Sequence, residues 1–97
     1  MEIDDMAGAL KELGHPTRLA LFKLLVQSGP QGLYVGDLQQ ELQLPGSTLN
    51  HHLRALISVG LLQQVREGRM LRCTPQFARL EQIIQFLQAE CCIRVPQ

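Results

Sequence analysis

Two periods meet in the stretch Gly46-Ser47-Thr48-Leu49-Asn50-His51-His52-Leu53-Arg54-Ala55-Leu56-Ile57-Ser58-Val59-Gly60 and its continuation Leu61-Leu62-Gln63-Gln64-Val65-Arg66-Glu67-Gly68-Arg69-Met70-Leu71-Arg72-Cys73-Thr74. With Leu49 set at zero and about 100° per residue, Leu49, Leu53, Leu56 and Ile57 gather on one side of a helix, and Ser47, His51, Arg54 and Ser58 fall opposite. Thr48 and Asn50 take the flanks, and His52 sits at the apolar boundary. Gly60 is the expected stop. The period then changes: residues 62–66 and 69–74 flank Glu67-Gly68 and predict a two-stranded hairpin with a tight glycine turn. Upstream, Asp37 is a suitable N-cap for a short helix carrying Leu38, Leu42 and Leu44, which Pro45-Gly46 interrupts. Two helices joined by a short glycine-containing turn, followed by a hairpin bearing Arg66, Arg69 and Arg72, predict a winged helix-turn-helix. The fold class is thus mainly α with a small β-hairpin wing.

The rest of the chain reads as helix. Ile3, Met6, Leu10 and Leu13 form a stripe that ends at Gly14; Pro16 opens a second helix, whose Leu19, Phe22, Leu25 and Val26 run to Ser28-Gly29-Pro30. Residues 33–35 read as a short extended piece. After Thr74-Pro75, a last helix is predicted from 76 to about 92, with Phe77, Leu80, Ile84 and Leu87 at 3-4-3 spacing and Ile83 and Phe86 widening the face. That face covers nearly half the circumference, more than a small domain needs, and the excess is read as a subunit interface. Residues 1–97 therefore form one domain, with a helix-turn-helix over 37–59 and a wing over 61–74.

Composition bounds the function. A chain of 97 residues, 45% of them apolar, makes one small domain whose stability is expected to be completed by a partner subunit or a bound ion. Runs such as Leu19-Ala20-Leu21-Phe22 are far too short to span a bilayer, and the acidic start Met1-Glu2-Ile3-Asp4-Asp5 lacks the basic head of a secretory signal, so a cytoplasmic protein without a membrane partner is expected. Nine Lys+Arg cancel nine Asp+Glu, which at first argues against nucleic acid. The charge is polarised, however: residues 1–44 hold three basic against six acidic side chains, whereas residues 45–80 hold five arginines against Glu67 alone. A basic middle binds a polyanion whatever the total. Ser47, Thr48, Asn50, His51 and Arg54 suit base edges and phosphates in a major groove, and Arg66, Arg69 and Arg72 suit phosphates or the minor groove beside it. Polar residues opposite an apolar stripe also occur on any surface helix, and three arginines also occur on solvated hairpins; their combination favours double-stranded DNA. Phe22, Tyr34, Phe77 and Phe86 are too few and too core-like for stacking on single strands or RNA. No phosphate loop or nucleophile constellation suggests an enzyme.

Leu13-Gly14-His15-Pro16-Thr17-Arg18-Leu19, Val35-Gly36-Asp37-Leu38, Ser47-Thr48-Leu49-Asn50-His51-His52-Leu53, Gly60-Leu61-Leu62 and Arg66-Glu67-Gly68-Arg69 resemble the ArsR family of bacterial winged-helix repressors, over about residues 6–92. The resemblance implies a homodimer built from the first and last helices (1–14 and 76–92), an operator with two half-sites, and derepression when an inducer binds. His15 stands where the family commonly has aspartate, which keeps a helix cap but changes its charge.

Family members differ in where they hold inducers. The Cys-x-Cys of one arsenic-sensing type is replaced here by Tyr34-Val35-Gly36-Asp37, and the Asp and His of a zinc-sensing type are missing from residues 76–92. The remaining thiols are Cys91-Cys92 and Cys73. A vicinal pair suits a soft thiophilic ion such as trivalent arsenic or antimony, with no permanent cofactor. A related branch with this pair has a third cysteine a few residues beyond, whereas Ile93-Arg94-Val95-Pro96-Gln97 offers none. The third ligand then comes from Cys73, from a small thiol or water, or is not needed because the inducer is a trivalent organoarsenical. Packing is the competing explanation, since Cys91 continues the 77-80-84-87 series and Cys73 alternates with Leu71 on a strand. Two other functions remain open: a winged-helix repressor whose Cys73 and one terminal cysteine oxidise together or take up persulfide, and a protein-interaction module that uses the fold only to dimerise.

Overall fold

The computed structural model describes residues 2–96; Met1, which the sequence places in the first dimerisation helix, and Gln97, the last residue of the domain, lie outside the described residues. The chain runs α1 (Glu2–Leu13), α2 (Pro16–Ser28), β1 (Leu33–Tyr34), α3 (Val35–Leu42), α4 (Gly46–Ser58), β2 (Leu62–Glu67), β3 (Met70–Pro75) and α5 (Phe77–Gln88).

Local chemistry sets these boundaries. Glu2, Asp4 and Asp5 lie in the first turn of α1 and Lys11 in its last, each at the end of the helix dipole that favours its charge. Gly14 closes α1 by donating its N–H to the Leu10 carbonyl at 2.8 Å. His15 caps α2, its Nδ1 accepting from the Thr17 N–H at 3.1 Å, and Pro16 follows at the first helical position, where a missing N–H costs nothing. Gln43 ends α3 in the left-handed conformation, and Pro45 leads into α4.

The wing differs from expectation in two ways. Its turn falls at Gly68-Arg69 rather than Glu67-Gly68, with Glu67 paired to Met70 across the ladder and Gly68 at φ 64°. It is also a three-stranded antiparallel sheet of order β1-β3-β2, because Leu33 and Tyr34 pair with Cys73 and Arg72 on the free edge of β3. Gly32 makes this approach feasible: at φ 66°, a Cβ there would lie 1.8 Å from the Cys73 carbonyl oxygen.

Leu21, Leu25, Leu38, Leu49, Leu53, Leu56 and Leu61 are fully buried and, with Phe22, Leu62, Cys73 and Ile83, form one core that clamps α2, α3, α4 and the sheet. Each such leucine contributes roughly 1.5–3 kcal/mol by leaving water.

Two helix boundaries are corrected. Asp37 is not the N-cap of α3: Tyr34 occupies that position, and Asp37, three residues in, accepts the Tyr34 N–H on Oδ2 at 3.2 Å. The last helix ends at Gln88 and not near residue 92. Ala89 leaves it at ψ 138°, and Glu90 and Cys92 take positive φ in a series of turns. The sequence stripe continues, but Leu87, Ile93 and Val95 are exposed and find no core to pack against within one chain. Without tertiary packing a terminal turn has little to hold it helical.

Candidate nucleic-acid interface

Helix α4 buries Leu49, His52, Leu53 and Leu56 and leaves Ser47, Thr48, Asn50, His51, Arg54 and Ser58 exposed. The five candidate DNA-contacting side chains of this helix therefore share one solvent-facing surface, with the short hydroxyl and amide groups in its first turns and His51 and Arg54 behind them. The wing is anchored to the same helix, because the Leu61 N–H donates to the Leu56 carbonyl at 3.1 Å as the chain turns from α4 into β2.

The arginines of the basic segment divide into two groups. Arg54 forms no ion pair among the described residues, Arg69 sits exposed in the wing turn, and Arg66 reaches only the Gly68 carbonyl at 3.5 Å. Arg72 is the most engaged of the wing arginines. Its Nε donates to Glu67 Oε2 at 2.8 Å and its Nη1 to the Gln31 carbonyl at 3.1 Å, its Nη2 reaches the Tyr34 phenol, and the guanidinium lies 4.4 Å from the centre of the Tyr34 ring. The Tyr34 hydroxyl donates to Glu67 Oε1 at 2.7 Å. These bonds hold the Glu67 carboxyl at a pKa of about 2, with Arg72 the main cause and Tyr34 the second. Arg79 is committed too, paired with Asp5 through two guanidinium nitrogens at 2.8 and 3.0 Å and donating to the Val59 carbonyl at 2.9 Å. Arg54, Arg66 and Arg69 are thus the least committed arginines of the segment, while Arg72 also ties β1 to the wing.

The structure adds a site the sequence reading passed over. His52, set at the apolar boundary by its spacing, is only 6% exposed, and its Nδ1 accepts from Arg18 Nε at 3.1 Å. Its position three residues after Leu49 and four before Leu56 was the available signal.

The three cysteines separate. Cys73 is fully buried in the core, near Gln64 Nε2 at 3.7 Å, and burial pushes its thiol pKa up. Cys91 and Cys92 stand exposed beyond α5 with their sulfurs 3.1 Å apart, and the hydrogen bond between them raises the Cys92 pKa. Among the described residues, no group of three or more His, Cys, Asp or Glu is placed to hold a metal ion. Cys73 is thus packed in the core, whereas Cys91 and Cys92 are exposed.

A helix with one buried and one polar face, reached by a short turn and followed by an arginine-bearing wing, defines a winged helix-turn-helix DNA-binding protein. A helix-turn-helix domain family model matches residues 13–65, more than half the chain, and the chain belongs to that family. It is 37% identical over 62 residues, 64% of this chain and 67% of the relative, to an uncharacterised HTH-type transcriptional regulator of Methanocaldococcus jannaschii. Its fold is that of the ArsR-like regulators. A Rhodococcus ArsR-like transcriptional regulator superposes with a TM-score of 0.78 at 24% identity, covering 90% of this chain and 79% of that one. The homodimeric winged helix-turn-helix domain of a possible ArsR-family regulator from Mycobacterium bovis gives 0.71 at 23%, covering 98% and 88%. The chain is a transcriptional regulator of this type and not an enzyme. No helix of the described residues is long and apolar enough to cross a membrane.

Proposed function

We propose that the protein is a homodimeric repressor that reads double-stranded operator DNA with α4 and is released when a trivalent thiophilic metalloid binds Cys91 and Cys92. The observation that carries DNA reading is the exposed face of α4, where Ser47, Thr48, Asn50, His51 and Arg54 stand together opposite a buried leucine face. Arg66 and Arg69 reach flanking phosphates from the wing, and Arg72 acts by holding the wing in place.

The vicinal thiols support the inducer reading. They are accessible, adjacent, and unexplained by packing, since the helix that would have buried Cys91 in a seam ends three residues earlier. Two thiols condense with the two hydroxyls of a monosubstituted trivalent arsenical, forming two As–S bonds and releasing two waters, with carbon as the third substituent. Inorganic arsenite or antimonite has a third oxygen to replace, and Cys73 is buried away from the task. The pair therefore favours a trivalent organoarsenical, with a small thiol completing the shell of an inorganic ion.

The test is fluorescence anisotropy with reduced protein and a duplex selected in vitro against the full chain. Methylarsenite is expected to release the duplex at lower concentration than arsenite or antimonite. Cys91→Ser and Cys92→Ser should still bind but no longer respond. Release unchanged in both variants would remove the pair from the function, and release by peroxide or polysulfide with every arsenical inert would establish the thiol-oxidation reading instead.

A further inference from the structure

Arg18 joins three helices. Its Nη1 pairs with Glu12 Oε1 at 2.7 Å and donates to the Glu12 carbonyl at 3.2 Å on α1, while its Nε donates to His52 Nδ1 at 3.1 Å on α4. The guanidinium itself belongs to α2, and its side chain is 12% exposed. His52 is the one buried polar side chain among the described residues, and its ring lies 4.7 Å from that of His15 and 5.4 Å from that of His51, centre to centre.

We propose that His52 is the positioning residue of the DNA-reading helix and its proton switch: neutral, it accepts the Arg18 bond that holds α4 against α1 and α2; protonated, it frees α4 and the operator with it. This rests on α4 being the helix that reads DNA. An Nδ1 that accepts a hydrogen bond keeps its lone pair, so the network assigns the ring proton to Nε2. A second proton would set an N–H against the N–H of a guanidinium that Glu12 fixes from the far side. The groups facing the ring are Glu12 from α1, His15 at the start of α2, Arg18 on α2 and His51 on α4. Only Glu12 is anionic, and its carboxylate is spent on Arg18.

Burial, then the charges of His15, Arg18 and His51, hold His52 below the ordinary imidazole value of 6.5. For a base with a depressed folded pKa, the neutral, latched state is fully favoured above that ordinary value. It is lost as pH falls from there through the folded pKa. Operator affinity should fall with it.

The experiment uses the reduced full chain without inducer and a duplex selected in vitro at pH 8, titrated by anisotropy from pH 8 to 5.5. The variant His52→Asn places an amide oxygen near the former Nδ1, so it accepts from Arg18 but does not titrate. The ratio of its affinity to that of the wild type is expected near one at pH 8 and to rise as pH falls, by up to about tenfold per unit, the limit for one linked proton. His15 and His51 are present in both proteins and cancel in the ratio. A flat ratio, or cooperative loss of far-UV helix signal in place of local release, overturns the proposal. If the variant does not fold, ring ¹⁵N shifts of wild-type His52 decide: an Nε2–H tautomer and a midpoint below 6.5, coincident with loss of the Arg18 Nε–H signal, sustain it. A midpoint at or above that value, or an undisturbed Arg18 signal, refutes it. Undiminished binding by Arg54→Ala at pH 8 would instead refute the reading of α4 itself, leaving the ring titration to be judged alone.

Discussion

Arg66, Arg69 and Arg72 look equivalent in the sequence, yet the fold gives them different work. Most of the Arg72 donors are taken by Glu67, Gln31 and the Tyr34 phenol, whereas Arg69 sits in an exposed turn. A phosphate contact shows itself through released counterions, so Arg69→Ala is expected to weaken duplex binding about uniformly across sequences and to lower the salt slope by about one. Arg72→Ala should instead loosen β1 and the wing, seen as faster amide exchange at Tyr34 and Cys73 in protein without DNA. An unchanged salt slope for Arg69→Ala would remove it from the interface. The same network predicts an acid limit. Glu67 has a folded pKa of about 2 against 4.5 when unperturbed, so its contribution is complete above 4.5 and is lost as pH falls toward 2. The Arg72 Nε–H resonance should broaden within that interval; persistence of a sharp signal at pH 2 would contradict the pairing. Residue type and spacing were enough to place Ser47, Thr48, Asn50, His51 and Arg54 on the exposed side of α4, but which arginine was already paired depended on Tyr34 and Gln31, about forty positions away in the chain.

Elements were legible where their cause was local. Pro16 after His15, Gly14 and Gly60 as stops, and the change of period at residue 61 all rest on neighbours within a few positions, and the structure places α2, α4 and the hairpin accordingly. The third strand was not, because a two-residue strand has almost no pattern of its own; Leu33 and Tyr34 become β1 only by lying on β3. Gly32 is the condition for that pairing. Gly32→Ala should cost at least about 2 kcal/mol, combining left-handed strain with a clash against the Cys73 carbonyl, read as a lower midpoint in urea. A variant as stable as the wild type would mean that β1 is not fixed where it is placed. The end of α5 was misread for the converse reason: 3-4 spacing persists to Cys91, but spacing supports a helix only where something covers the face.

At the scale of the molecule the exposed apolar residues support the proposed dimer. Ile3 and Leu10 on α1 and Ile84 and Leu87 on α5 are between 37% and 67% exposed, on two helices that pack against each other in the monomer. The radius of gyration, 15.4 Å, exceeds the roughly 13 Å of a compact chain of this length, and the molecule measures 58 × 23 × 22 Å. An elongated chain that leaves apolar helix faces open is consistent with the proposed homodimer. A twofold dimer through α1 and α5 would present two copies of α4 to one face of a duplex, with half-sites about 34–36 Å or one helical turn apart. Leu87→Asp, which places a carboxylate on that face without touching the core, should shift sedimentation equilibrium toward monomer. The isolated winged helix should stay folded by circular dichroism. Its affinity for the full duplex should drop to that for a single half-site. Inserting five base pairs between half-sites rotates one by about half a turn, and it should reduce wild-type binding to the same level while leaving the Leu87→Asp protein indifferent. A Leu87→Asp protein that remains dimeric and still distinguishes the two spacings would place the interface elsewhere. Because Cys91 and Cys92 lie three and four residues beyond the end of α5 at Gln88, a metalloid bound there, as proposed, would act next to the end of the proposed interface helix, and so on the distance between the two copies of α4.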